Sequence, residues 1–331
     1  MKYGVGIVSN QPLPRVVEQV KLAEDLGYES VWMIDSQLTC RELYVTLTAC
    51  ALATSRIKLA AGVTAPYTRH ASVTAGAFAT LHDIAPGRLI LGMSVGNTLV
   101  KSIGGRRARI AELEGYARTV RELLSGGEAG FERGVVGGIS YVEEPTDIPI
   151  YFAVSGPRIT RSAGRVADGA MLHYGAEPSL VREGLKLVEQ GASEAGRDPD
   201  EIEKAAWVIT SVAKDRAVAR AHVQGRVLTM LSMVDTSRFS EEDRRAIEGF
   251  KRDYTVASLS GGEGTDPVPG LGTFIDRFTL AGDPVEVAEK ASGLAGMPGI
   301  GEVVITLPGA GGPYPSIEEI MERFAGAAFG G

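Results

Sequence analysis

Two hydrophobic periods alternate along the chain. Short continuous runs of β-branched and aliphatic residues, the pattern of strands buried on both faces, recur at 3–8, 31–34, 57–62, 89–95, 149–154, 169–173, 206–213 and 302–307. Between them lie longer stretches whose apolar residues fall three and four apart. The first puts Leu13, Val16, Val17, Val20, Ala23 and Leu26 on one helical face and stops at Gly27. Another carries Ile110, Leu113, Ala117, Val120 and Leu124 as a single stripe. Further helical patterns cover 41–54, 70–84, a stretch from about 158, 178–195, 215–232 and 284–294. Eight strands alternating with helices predict a (β/α)8 TIM barrel formed by residues 1–331 as one domain.

Two segments break the repeat. Residues 126–148 are glycine-rich and contain Phe131, Val135, Val136 and Tyr141, which predicts a hairpin insertion. Residues 234–276 form too long a connection between strands seven and eight for an ordinary loop. They predict a lid over the barrel mouth, or else a disordered or subunit-contact insert.

Composition sharpens this picture in three places. The 42 glycines sit at the ends of apolar runs rather than in tracts, as tight turns and close approaches to a ligand require. A net charge of −7 with no basic run excludes a nucleic-acid partner. The one dense basic cluster, Arg106, Arg107 and Arg109, opens an amphipathic helix and reads as a solvated helix end, with a groove for an anionic cofactor tail as the alternative. Cys40 and Cys50, ten apart, match neither a redox pair nor a zinc pattern and read as buried small hydrophobes. No signal-peptide pattern and no bilayer-length apolar run is present, so a cytoplasmic protein without a membrane partner is expected.

A barrel of this kind carries its chemistry at the C-terminal ends of its strands. The residues there are Asp35; Gly62, Val63 and Thr64; Gly96 and Asn97; Val154, Ser155, Gly156 and Pro157; and His173, Tyr174, Gly175 and Ala176. Phosphate-loop and H-E-x-x-H motifs are absent, and the four histidines (His70, His82, His173, His222) are scattered, so no metal site is expected. No lysine stands at a strand end to form a Schiff base. So few acid–base groups line the rim that a cofactor is expected to carry the chemistry.

The segment IKLAAGVTAPYTR at 57–69, followed by GRLILGMSVGN at 87–97, resembles the bacterial-luciferase-like superfamily and, within it, the coenzyme F420-dependent methylene-tetrahydromethanopterin reductases. IPIYFAVSGPRITRSAGRVADG and GASEAGRDPDEIE extend the similarity over nearly the whole chain apart from 234–276. The resemblance implies F420 as cofactor, with FMN as the alternative. It implies a non-prolyl cis peptide at Gly62-Val63 backing the ring, with Asp35, Thr64, Gly96 and Asn97 along the ring and ribityl chain. Val154, Ser155 and Gly156 would meet the ring edge or phosphate, and Gly175 and Ala176 the same phosphate tail. Asp35, Ser36 and His70 are the expected catalytic positions, with Tyr67, His173 and Tyr174 as further proton-delivery candidates.

The reductases typically carry a glutamate in strand one, where this chain has Gly6, and Asp-His after strand two, where it has Asp35-Ser36. Asn97 replaces a common acidic residue. The expected activity is therefore hydride transfer between reduced F420 and a C=N or activated C=C carbon of a small molecule, with the substrate side altered. An FMN-dependent monooxygenase and a non-catalytic flavin- or deazaflavin-binding protein are the alternatives. A homodimer is common in the resembled family and is expected here.

Overall fold

The computed structural model describes residues 1–96, 100, 102–234, 236, 239–253, 268–308 and 314–329. Strand β1 (Tyr3–Ile7) is buried along its whole length. It feeds α1 (Leu13–Leu26), which turns Val16, Val20 and Ala23 onto the sheet. Gly27 ends that helix at φ 90°, a left-handed conformation that suits glycine, and donates its N–H to the Glu24 carbonyl at 3.2 Å. The unit then repeats through β2 (Ser30–Met33), α2 (Leu43–Ala53), β3 (Lys58–Thr64), α3 (Ala71–Ile84), β4 (Leu89–Met93) and α4 (Ile110–Leu124). A two-stranded antiparallel hairpin, β5 (Ala129–Gly130) and β6 (Val136–Gly137), occupies the predicted insertion. The second half runs β7 (Ile150–Val154), α5 (Pro157–Val166), β8 (Gly169–Leu172), α6 (Pro178–Glu194), β9 (Glu203–Val212) and α7 (Arg216–Met233). It ends with α8 (Glu241–Asp253), α9 (Gly272–Phe278), β10 (Thr279–Gly282), α10 (Pro284–Ala295), β11 (Glu302–Thr306) and α11 (Ile317–Ala328).

The eight strands β1, β2, β3, β4, β7, β8, β9 and β11 are hydrogen-bonded in that order, all parallel, and β11 closes back on β1. The chain is a (β/α)8 TIM barrel. A strand absent from the hydrophobic pattern, β10, pairs with the upper half of β9, Thr279 opposite Ile209 and Gly282 opposite Val212. The carbonyl of Arg277, just before β10, accepts the N–H groups of Ala176 and Glu177 at 2.9 and 2.8 Å. Thus β10 extends the wall above the end of β8, where the barrel would otherwise be open. In the 234–276 insert, α8 and α9 pack edge to face through Phe250 and Phe274 at 5.8 Å. Arg277 ties them to the rim between Glu177 and Asp243, 2.7 Å from each. The centre of the expected lid, 254–267, lies outside the described residues.

Two apolar layers hold the barrel. The larger lies between strands and helices. The smaller fills the interior with Trp32, Ala60, Ile90, Tyr151, Met171, Ala205, Trp207 and Val304. Trp32 meets Trp207 edge to face at 5.9 Å and Tyr151 at 5.7 Å, and each such pair adds about 0.5–1.5 kcal/mol beyond area burial. At the N-terminal base Trp32 Nε1 donates to Ser30 Oγ (2.8 Å), which donates to Glu302 Oε1 (2.6 Å). Burial there pushes the Glu302 carboxyl up to about 7. No described helix is long and apolar enough to cross a membrane.

Candidate active site

The floor of the barrel mouth is built from one large residue and several bare ones. Trp207 points inward from β9. A Cβ on Gly6 would stand 3.0 Å from its ring and 3.3 Å from the Thr306 methyl. The indole therefore takes the room above strand one that a longer side chain at position 6 would need. His173 lies on the other side of the indole, stacked at 5.3 Å and 25°. Burial, reinforced by the charge of Arg226, pushes the His173 imidazole down to about 4, so it is neutral at pH 7.

On the opposite wall the Gly62-Val63 peptide is cis, and the β3–β4 ladder shifts register between Ala61 and Thr64. The bulge is possible because β4 presents Gly92 to it. A Cβ on Gly92 would fall 2.1 Å from the Ala61 carbonyl oxygen. No side chain fits between those backbones, so the wall facing the mouth is nearly flat.

Asp35 is buried beside this wall, but its carboxylate is engaged. It accepts from Arg69 Nη1 at 2.6 Å and from Gln37 Nε2 at 2.9 Å. Arg69 also reaches Glu42 at 2.7 Å and stacks its guanidinium 4.5 Å over Tyr44. Asp35 thus organises the loop below the rim rather than offering a free oxygen. Ser36 accepts from the Thr39 hydroxyl at 2.7 Å. His70, expected at the chemistry, is the exposed N-cap of α3. Its Nδ1 accepts from Ser72 N at 3.3 Å and its ring packs on Phe131 of the hairpin at 5.3 Å. A capping position after strand three uses the histidine to satisfy a helix end.

The other rim residues divide similarly. Thr64 is fully buried beneath the bulge, with Arg69 Nη1 3.4 Å from its hydroxyl. Gly96 turns at φ +78° against Val100. Asn97 lies outside the described residues. Val154 is buried, whereas Ser155 is exposed and Gly156, the N-cap of α5, has open space where a Cβ would stand. Gly175 is packed against Phe278, and the Ala176 N–H donates to the Arg277 carbonyl. Tyr174 is buried with its hydroxyl 2.7 Å from Thr160, and Tyr67 is on the surface beneath the Arg106 guanidinium. Arg106 and Arg109 are neutralised by Glu112 at the start of α4.

Several residues of the mouth carry no signal in strand-end position. Helix α7 reaches over it: His222 Nδ1 lies 3.0 Å from Ser211 Oγ, and its ring stacks at 4.5 Å on Tyr314, beyond β11. One turn further along, Arg226 is half-buried and near enough to both His173 and Cys40 to affect their protonation. The hydroxyls of Ser9 and Thr306, past β1 and at the end of β11, are fully buried without a hydrogen-bond partner among the described residues. Among the described residues no group of three or more His, Cys, Asp or Glu is placed to hold a metal. Clefts of about 350 and 370 Å³ lie elsewhere. One, at Arg121, Pro149 and Asp168, is on the N-terminal face, and the other lies among Arg182, Lys290 and Met297. The first lies away from the strand ends on which barrel chemistry depends, whereas the second borders the rim after β8 through Ala176 and Glu177.

Comparison with known proteins agrees with this geometry. The profile of the luciferase-like monooxygenase family matches residues 1–297. The 5,10-methylenetetrahydromethanopterin reductase of Methanolobus tindarius is 29% identical over 93% of this chain and 94% of its own. The F420-dependent glucose-6-phosphate dehydrogenase of Nakamurella multipartita is 32% identical over 81% of this chain and 79% of its own. Among solved structures, the coenzyme F420-dependent tetrahydromethanopterin reductase from Methanopyrus kandleri superposes with a TM-score of 0.77 at 26% identity, covering 99% of this chain and 98% of that one.

Proposed function

The chain belongs to the luciferase-like monooxygenase family, and on that premise we propose that it is an F420-dependent oxidoreductase acting on a C=N or activated C=C carbon. Relatives named for two different F420-dependent reactions align over most of the chain, which favours the deazaflavin over FMN. The observation that carries the reading is the bare Gly62-Val63 bulge, backed by Gly92 and facing a mouth floored by Trp207. A planar ring needs such a wall, and the unpartnered Ser9 and Thr306 hydroxyls are polar groups that a heterocycle with donors and acceptors would satisfy. The residues present therefore fit the group.

When bound, F420 supplies or accepts the hydride. The chain's own part is to position and to exclude water. Gly62, Val63 and Thr64 form the ring wall. Ser155 and Gly156 open the N-terminus of α5 toward the anionic tail, where helix N–H groups favour negative charge. Trp207 and His173 close the floor, and a neutral His173 places no competing charge beneath the reacting carbon. Holding two reactants in line in this way can supply up to about 7–11 kcal/mol of the barrier. The outer faces of α2 and α3 expose Val45 (60%), Leu52 (71%) and Val73 (53%), which supports pairing with a second copy of the chain.

Parallel fluorescence titrations with F420 and FMN test the reading. Tight F420 and weak FMN binding, followed by oxidation of reduced F420 on an imine or pterin substrate, is the expected result. The reverse preference would overturn it in favour of an oxygen-consuming reaction. Tight F420 binding without turnover on any such substrate would leave a binding protein.

A further inference from the structure

The Asp35–Arg69 pair neutralises itself, and Arg106 and Arg109 are held by Glu112. Arg226 differs from all of them. Its guanidinium makes no hydrogen bond or ion pair within the described residues, although burial is strong enough to weaken its hold on the proton. Its neighbours are the neutral His173 and Cys40, whose thiol burial pushes up, so among the described residues the charge is uncompensated. A half-buried cation kept without a counter-ion, yet reachable by solvent, is poised for an anion that arrives from outside.

Position decides which anion. In the closed ring of eight strands β3 and β9 are diametrically opposed, four strands apart either way round. If the deazaflavin stands against the β3 bulge, as the functional reading on which this inference rests requires, α7 faces it across the mouth from beyond β9. His222 fixes the orientation of α7, since its bond to Ser211 turns that face to the inside of the barrel top, and Arg226 is its i+4 neighbour on the same face. On the same reading the cofactor's own anionic tail would leave over the rim at the N-terminus of α5, on another part of the wall.

We propose that Arg226 is the anion-recognition residue of the substrate pocket, and that the physiological substrate carries a carboxylate or phosphate which this guanidinium binds while its reacting carbon faces the ring. The planar fork of donors suits either group, and Arg226 is half-buried where Arg41, Arg107 and Arg158, rim cations also without an acidic partner among the described residues, are exposed.

Titration calorimetry at low ionic strength, with inorganic phosphate and succinate as probes, tests this on the protein before and after loading with F420. Wild type is expected to bind at least one probe at a single site, and the tighter probe names the group. Arg226→Met should weaken that binding by about tenfold or more, and Arg226→Lys by less, since a point charge replaces the fork. The control Arg118→Met, which removes an exposed arginine of α4, should leave it unchanged. The affinity for F420 should be the same in Arg226→Met as in wild type. Equal anion binding by wild type and Arg226→Met, or no binding to wild type, would overturn the proposal. So would a loss of F420 affinity in step with the anion, because the guanidinium would then serve the cofactor. If wild type fails to bind F420 while anion binding still depends on Arg226, the anion site stands and the functional reading falls.

Discussion

Glu302 at the base of the barrel offers a quantitative test of the fold's electrostatics. Its carboxyl accepts from Ser30 and is raised to about 7 by burial, with Glu29 adding to the effect and Lys58 and Lys2 opposing it. The direction sets the sign. Between the ordinary carboxylate range and pH 7 the folded chain holds a proton that the unfolded chain has released, so stability falls as pH rises through that window. Below it the group contributes no penalty, and above about pH 8 the penalty is complete. The shift from 4.5 to about 7, at 1.36 kcal/mol per unit, gives a full penalty of about 3 kcal/mol. Glu302→Gln removes the titration while keeping an acceptor for Ser30. Urea unfolding of both proteins from pH 5 to pH 9 isolates the one group, because all other titrations cancel in the difference. Glu302→Gln should gain on wild type by about 2–3 kcal/mol across that range, and the gain should level off above pH 8. A difference curve that is flat, or that slopes the other way, would show that the barrel base does not desolvate this carboxyl.

Three further outcomes follow from the same coordinates. Gly92→Ala puts a Cβ 2.1 Å from the Ala61 carbonyl, so it should cost about 3 kcal/mol in urea unfolding and weaken F420 binding together; a neutral variant would mean the bulge tolerates displacement. Arg69→Met strands the buried Asp35 carboxylate and should destabilise by about 3–5 kcal/mol, part of which the double variant Asp35→Asn, Arg69→Met restores; additive losses in the double-mutant cycle would refute the coupling. Val45→Glu combined with Val73→Glu should convert a dimer to a monomer in sedimentation velocity, and an unchanged mass would place any interface elsewhere.

Periodicity carried the barrel because each of its eight strands is an apolar run flanked by a helical pattern, and alternation leaves few other topologies. It missed β10 because TLAG has one β-branched residue and follows directly on α9, so nothing in its four residues announces a strand. What makes it a strand is the exposed upper edge of β9, which is a tertiary fact. The bulge at Gly62-Val63 was legible only through the family resemblance, and strand-end position alone does not tell a capping residue such as His70 from a catalytic one, since the residue after a strand is also the residue before a helix. Arg69 lies within GVTAPYTR, but its partner, Asp35, is 34 residues away, and nothing in the sequence joins the two. Arg226 is an arginine within a helical run, and only the closure of the barrel brings it to His173.

The same closure explains the departure at strand one. A glycine at position 6 looks in isolation like the deletion of a functional group. In the folded barrel Trp207 from β9, two strands away, occupies the space, and a Cβ at position 6 would already touch its ring at 3.0 Å. The floor is therefore an apolar plane that stacks on a neutral imidazole. It supports a flat apolar surface rather than giving or taking a proton. The ring wall, set by Gly62, Val63 and Gly92, does not depend on it. With the floor uncharged, the recognition charge of the mouth falls to α7. A substrate for this barrel is then one whose acidic group lies away from its reacting carbon, long enough to reach from the ring wall at β3 to the helix beyond β9.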